Sequence, residues 1–315
     1  MQVVTDLAAL ERGRPAILTI GAFDGVHRGH QYLIRQVVDR ARRLEYDSVV
    51  VTFDPRPSVV LRPGSMQLTD GAEKARIISA LGPRTMVILP FSPELAAIPA
   101  GQFLVSILDH VNLAEIWVGA DFAFGHKREG NVDFLIRSGQ NSGFAVHVVA
   151  RQSLGGHAIS STAIRQDVTE GDISTAARLL GHYLRLAGTV VRGAGRGHDL
   201  GFPTANLRLP PAQLLPGAGI YAANLHALGS TYSAAVSVGY NVQFDGQEIV
   251  VEAHALDFSG DLRGQPVALD LVARLRDEQR FPNVDALVEA MGKDVAQTRL
   301  ILAGAEEPGE LILPV

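Results

Sequence analysis

From Met1 to about Leu180, apolar positions follow two alternating rhythms. Short runs rich in Val, Ile and Leu occupy Ala16–Gly21, Ser48–Phe53, Thr85–Pro90, Glu115–Val118 and Ala145–Val149. Between them, apolar residues recur at helical spacing over Gln31–Leu44, Gly71–Leu81, Gly101–His110, Val132–Ser142 and Ile173–Leu180. In the first of these helices the repeating positions are Leu33, Ile34, Val37, Val38 and Ala41, one face of a 3.6-residue period. Strand runs separated by helices predict parallel strands with right-handed crossovers, hence an open doubly wound sheet.

Leu179–Leu186 reads as a helix end at Gly181 and a short linker, after which the rhythm changes. Period-two runs at Gly188–Arg192, Gly219–Ala227, Tyr232–Val238, Glu248–Leu256 and Gln265–Arg274 are separated by Gly, Pro, Asn and Asp. That spacing predicts an antiparallel barrel. A helix over roughly Val284–Ala303 follows, with Leu287, Val288, Met291, Val295 and Leu300 on one face. The expected organisation is α/β, with one domain over 1–182 and a second over 183–315.

Composition narrows the function. A chain of 315 residues, 47% hydrophobic and 19% charged, has room for two real cores. A net charge of −5 argues against a nucleic-acid partner, which needs clustered Lys and Arg. The absence of cysteine excludes disulfides, thiolate zinc sites and cysteine nucleophiles. Asp6, Glu11 and Arg12 interrupt the first apolar positions, so neither a secretory signal nor a membrane partner is expected. The expected location is the cytoplasm, and self-association is not readable.

Four segments carry polar residues just beyond a strand or turn: GAFDGVHRGH (21–30), TFDPRP (52–57), GADFAFG (119–125) and ISSTAIR (159–165). In a parallel sheet such loops gather at one edge, where α/β proteins bind ligands. His27 and His30 open a helix, whose free N–H groups attract phosphate. Each segment has a structural reading too. The histidines suit a surface turn, Ser160–Ser161–Thr162 suits a helix cap, and Phe53 and Phe122 suit a core.

H-x-G-H after the first strand with a later S-S-T-x-x-R resembles the nucleotidyltransferases that share this signature with class I aminoacyl-tRNA synthetases. The fuller set, G-x-F-D-G-x-H-x-G-H, T-F-x-P-x-P and G-x-D-F-x-F-G, resembles the FMN adenylyltransferase module of bacterial bifunctional riboflavin kinase/FAD synthetases. The resemblance implies that His27 and His30 meet the ATP phosphates, with Gly21, Phe23, Asp24, Gly25 and Gly29 around the nucleotide. It implies a second phosphate cradle at Ser160, Ser161, Thr162 and Arg165, and a flavin or phosphate side at Phe53, Pro55, Asp121 and Phe122. Asp121 is a candidate magnesium ligand, while Asp24 is read as holding the turn.

In the second half, G-x-V-x-x-G…L-G-F-P-T-A-N-L, S-V-G-x-N and E-x-H-x-L-D-F resemble riboflavin kinase. The resemblance implies ATP binding at Gly193, Gly195, Gly197, Pro203, Thr204 and Asn206, with magnesium on Thr204 and Asn206. Glu252 is then the base toward the ribityl hydroxyl, and Arg276, Glu278 and Phe281 close over the flavin. The chain departs from the family pattern at Val242–Gln243–Phe244 (for P-T-F), Arg263 (for Tyr), His182–Tyr183 (for R-P-Y) and His198–Asp199 (where Arg is common). The implied fold is a parallel-sheet nucleotidyltransferase domain plus an antiparallel β-barrel riboflavin kinase domain with a C-terminal helix. The implied substrates are riboflavin, FMN and ATP, with Mg2+. Two alternatives are a chain with one working site and a flavin-binding regulator without catalysis.

Overall fold

Ile17, Leu18, Val50, Val51, Val87 and Val118 are all closed off from solvent, because the strands that carry them have helices over both faces and no polar side. The computed structural model of the protein describes residues 1–10, 12–193, 197, 200–240, 249–306 and 308–309. They fall into two compact units, one ending at Ser161 and the other starting at Thr162.

The first unit is built on a six-stranded sheet of β1 (Gln2–Val4), β2 (Ala16–Ile20), β3 (Asp47–Asp54), β4 (Thr85–Pro90), β5 (Leu113–Gly119) and β8 (Ala145–Val149), in the order β1-β4-β3-β2-β5-β8. Every pairing is parallel, with Ile20 opposite Val51 and Thr19 opposite Trp117. β3 and β4 are laid to one side of β2, and β5 and β8 to the other. The loop after β2 therefore stands where the winding reverses, the usual ligand crevice of such sheets. Strand β1, which the sequence reading leaves unassigned, adds an edge beside β4. Its three residues are too few to show a period.

Helix α1 (Arg28–Leu44) buries Leu33, Ile34, Val37, Val38 and Ala41, the stripe the pattern predicts. Beyond Arg56 the chain turns into a short helix, α2 (Pro57–Leu61), with proline at its first position. Helices α3 (Gly71–Ala80), α4 (Pro93–Ala96), α5 (Ala100–His110) and α6 (Val132–Ser142) complete the layers. Two small hairpins, β6–β7 (Ala123–Phe124, Gly130–Asn131) and β9–β10 (Ser153–Leu154, His157–Ala158), lie among the later loops.

Helix α7 (Ser161–Glu170) spans the division between units, and α8 (Ile173–Leu180) belongs to the second, where Ala177 packs with Tyr183 and Val272. Gly181, at φ 79°, caps α8, and Leu184 already opens β11 (Leu184–Val191). The stretch read as a linker is thus a cap followed by a barrel strand. Leu184 and Leu186 point inward and are fully buried.

The barrel closes in the order β11-β12-β15-β14-β13-β16. Its other strands are β12 (Ala205–Arg208), β13 (Gly219–Ala227), β14 (Ser230–Tyr240), β15 (Ile249–Ala255) and β16 (Pro266–Arg276). β12 goes unread in the sequence because its four residues carry only one fully buried apolar side chain, Leu207. The last helix, α9 (Val284–Gly304), lies against β13, β14 and β16. Leu300 does not share its inner face, being 76% exposed. Continuing the period from Met291 and Val295 reaches Thr298 and Leu302, and the fully buried members of the helix are polar: Asp294 and Thr298.

Candidate active sites

After β2 the chain makes a turn that few residues tolerate: Phe23 (φ 44°), Gly25 (φ 79°) and Val26 (φ 36°) are left-handed. For a β-branched residue such as Val26 this is strained backbone, held only by its surroundings. Asp24 supplies much of the hold. Its buried carboxylate accepts from the N–H groups of Leu68 (2.8 Å) and Thr69 (3.3 Å) and from Arg56 Nη1 (2.7 Å). Thr69 Oγ1 accepts from the Gly25 N–H at 2.9 Å, and Ser161 Oγ donates to the Asp24 carbonyl at 2.9 Å. Three of the four polar segments therefore meet at Asp24.

This turn presents the two histidines at the start of α1. His27 Nδ1 accepts the His30 N–H (3.3 Å), capping the helix. The imidazoles stack with centroids 3.5 Å apart and planes 16° apart, and the Phe23 ring meets His30 edge-on at 5.1 Å. Burial, then His27, then Lys74 push the His30 pKa well below its ordinary value. Its Nδ1 is buried and has no hydrogen-bond partner among the described residues. Gly29 lies beside the stack, where an added Cβ would stand 3.3 Å from His27 Nδ1. A Cβ on Gly21 would touch the Phe23 ring at 3.0 Å.

The other residues expected here divide. Phe53 sits at the end of β3 with its ring between Phe91 (5.6 Å) and Phe103 (6.4 Å), followed by Pro55 across a cis Asp54–Pro55 bond. Phe122 stacks on Phe124 at 5.4 Å, and both rings pack on the main core. Phe53 and Phe122 thus have structural roles whatever else they touch. Asp121 is exposed and pairs with Arg151 at 3.2 Å. Ser160 is half-buried just before α7, and Ser161 is the first residue of that helix. Thr162 and Arg165 follow on α7, Arg165 Nη2 reaching Thr162 Oγ1 at 3.4 Å.

In the barrel, β12 and β15 pair so that Asn206 stands directly opposite Glu252. Thr204 Oγ1 donates to Glu252 Oε2 at 3.3 Å, and His254 Nδ1 donates to the Pro203 carbonyl at 2.8 Å. Two oxygen-bearing side chains and a carboxylate are thereby gathered at one strand junction. Gly193 lies against them so closely that a Cβ there would stand 2.1 Å from Asn206 Nδ2. A Cβ on Gly197 would stand 2.4 Å from the Phe202 carbonyl oxygen. Gly195, His198, Asp199 and the Val242–Gln243–Phe244 departure lie outside the described residues. Arg276 is clamped by Asp294 (2.8 and 2.7 Å) and lies over the Phe281 ring at 5.6 Å. Glu278 lies beside Gly239, where a Cβ would stand 2.4 Å from its Oε1. Arg263, at another departure, pairs with Asp261 within its own loop.

Sequence reasoning passes over Arg56, Lys74 and Asp294. The latter two interrupt apolar helix faces, at positions in step with Ile77–Ile78 and with Met291–Thr298. A charge on a core stripe is the signal that finds them.

The first unit is thus an open parallel sheet with a histidine-bearing helix start at its switch point, and the second a closed barrel carrying a Thr–Asn–Glu cluster. Family models for FAD synthetase and riboflavin kinase match residues 10–163 and 180–302. The bifunctional riboflavin kinase/FMN adenylyltransferase of Pseudomonas fluorescens is 35% identical over 96% of this chain and 98% of its own. That of Listeria monocytogenes serovar 1/2a is 34% identical over 92% and 94%. A crystal structure described as a macrolide-efflux protein from Streptococcus pneumoniae superposes with a TM-score of 0.83, at 32% identity over 94% of this chain and 98% of that one. Among the described residues no helix is long and apolar enough to cross a membrane. The chain belongs to the family of bifunctional riboflavin kinase/FMN adenylyltransferases, enzymes that phosphorylate riboflavin and adenylylate the FMN formed.

Proposed function

We propose that the two reactions use two separate sites, FMN formation at the Thr204–Asn206–Glu252 cluster and FAD formation at the His27–His30 turn. The cross-strand pairing of Asn206 with Glu252 is the observation that carries this reading. It puts a carboxylate beside two neutral oxygen donors, which is what phosphoryl transfer to a hydroxyl asks of a protein. Glu252 accepts the proton of the ribityl hydroxyl as it attacks the γ-phosphate of ATP, and the bond to the β,γ-bridging oxygen breaks to release ADP. Gly193 and Gly197 let backbone come close to the nucleotide, and Arg276 and Phe281 face the flavin, with Asp294 holding Arg276 in place.

Thr204 Oγ1 and the Asn206 side-chain oxygen fit a hard divalent cation, and their closeness to Glu252 adds negative charge without a cage of carboxylates. Magnesium held there supplies charge neutralisation on the ATP phosphates. Asp121 fits such an ion less well, since its carboxylate is exposed and already paired with Arg151. Among the described residues no group of three His, Asp or Glu side chains is assembled for a metal.

At the histidine turn an FMN phosphate oxygen attacks the α-phosphate of ATP and pyrophosphate leaves, with no protein nucleophile. The work is positioning and stabilising the developing charge. His27 and His30 do this from the start of α1, with Ser160, Ser161, Thr162 and Arg165 as the second set of phosphate donors and Phe53 and Pro55 on the flavin side. Asp24 acts at one remove by fixing the turn. The location consistent with these substrates is the cytoplasm. Replacing His27 and His30 with alanine together tests it: FAD formation from FMN falls by about 100-fold or more, and FMN formation from riboflavin is unchanged. Loss of both reactions in a folded variant contradicts the two-site reading.

A further inference from the structure

Lys74 is fully buried on the inner face of α3, beside Ile77 and Ile78. An ammonium in that place costs several kcal/mol of desolvation, and an apolar residue of similar volume would pack at no such cost. Its surroundings show how the charge is tolerated. Nζ donates to the Phe53 carbonyl at the end of β3, and the carboxylates of Asp54, Asp24 and Asp70 stand around it, with Arg56 opposing. Burial lowers the Lys74 pKa, and the three carboxylates resist that shift. Asp54 is drawn in closely: a Cβ on Gly71, at the start of α3, would stand 2.9 Å from its Oδ2. Asp54 Oδ1 is buried with no hydrogen-bond partner among the described residues.

We propose that Lys74 is a positioning residue for adenylyl transfer, tying the end of β3 to α3, the helix packed against the Asp24–Val26 turn, and keeping a positive charge in reach of His30. This rests on the placing of the ATP phosphates at those histidines. Three features support it. Lys74 holds the main chain of Phe53, one residue before the Asp54–Pro55–Arg56 segment on the flavin side. Arg56 from that segment grips Asp24 in the turn, so the segment Lys74 anchors to α3 is the one that holds the turn. Among the described residues, His27 and Lys74 act with burial to keep the His30 imidazole neutral. A neutral imidazole keeps one nitrogen as donor and one as acceptor, whereas two stacked cations would repel.

The test uses the full chain with Lys74→Met and Lys74→Arg, His30→Gln as reference, thermal unfolding by circular dichroism as the measure of folding, and the riboflavin kinase rate as a control for the second unit. In Lys74→Met the kcat for FAD formation falls about tenfold, and kinase activity stays at the parental level. The His30 titration, followed by histidine NMR and assigned with His30→Gln, moves up, and the pH dependence of FAD formation moves with it. Lys74→Arg keeps the charge and holds the titration at the parental value. If Lys74→Met does not fold, Lys74→Arg decides, and a displaced His30 titration in it overturns the proposal. An unchanged titration and kcat in a folded Lys74→Met also overturns it. Should His30→Gln make FAD at the parental rate, it is the placing of the phosphates that fails. If His30→Gln is impaired while Lys74→Met is normal, the role given to Lys74 fails instead.

Discussion

Glu252 and Asn206 are direct partners across the β12–β15 ladder, and the hydroxyl of Thr204 reaches the Glu252 carboxylate at 3.3 Å. In the proposed function the ladder thus holds Glu252, as base, together with the nucleotide-side Thr204 and Asn206. Replacing Glu252 with glutamine keeps the shape and removes the proton acceptor. FMN formation is expected to fall by about 100- to 10,000-fold, with FAD formation from supplied FMN intact. Chromatography of the flavin products reads both rates in one sample.

Gly193 lies where a methyl group would stand 2.1 Å from Asn206 Nδ2. Gly193→Ala must push the Asn206 amide off its place or shift the loop. The expected result is a kinase KM for ATP raised about tenfold, with the riboflavin KM and the adenylyltransferase untouched. Initial-rate kinetics with each substrate varied in turn checks it.

The Asp24–Arg56 pair is almost closed to solvent, the side chains being 3% and 13% exposed. Removing one partner of a buried ion pair strands the other charge and costs about 3–5 kcal/mol. Arg56→Met is therefore expected to lower the thermal midpoint of the first unit and raise the KM for FMN. Asp24→Asn strands Arg56 in the same way: with the amide oxygen accepting from Leu68 and Thr69, its NH2 faces the guanidinium, so a comparable loss is expected. Thermal unfolding followed by circular dichroism checks both.

In the barrel, burial raises the Asp270 pKa, but Arg185 and His226, bonded to it at 2.5–2.7 Å, outweigh burial and hold it below its usual value. A folded-state pKa below the unfolded one means stability that is present above the ordinary carboxylate range. That stability is lost as pH falls through the depressed folded value. Acid unfolding of the parent is expected to steepen there. In Asp270→Asn that segment of the pH dependence is absent, as urea midpoints measured across acidic pH will report.

The fold is legible wherever one period persists. The five strand runs and five helices read in the first half reappear within a few residues, because each is long enough to bury one face. Among the strands, what escapes has a common cause: β1, β12 and the two small hairpins are too short to show a period, and β1 and β12 pair with strands far along the chain. The site divides in the same way. His27, His30, Thr204, Asn206 and Glu252 stand in motifs and can be named from the sequence. Arg56, Lys74 and Asp294 act through residues far along the chain, and nothing local announces their partners. Leu300 marks the opposite error, an apolar residue assigned inward that faces solvent.

The most direct measurement is a chromatographic time course with riboflavin, ATP and magnesium, run on the parent chain and on the His27→Ala/His30→Ala variant and repeated with FMN as the starting flavin. The parent is expected to make FMN and then FAD, and the variant to stop at FMN. A parent that converts neither flavin, or a folded variant that still makes FAD at the parental rate, contradicts the account.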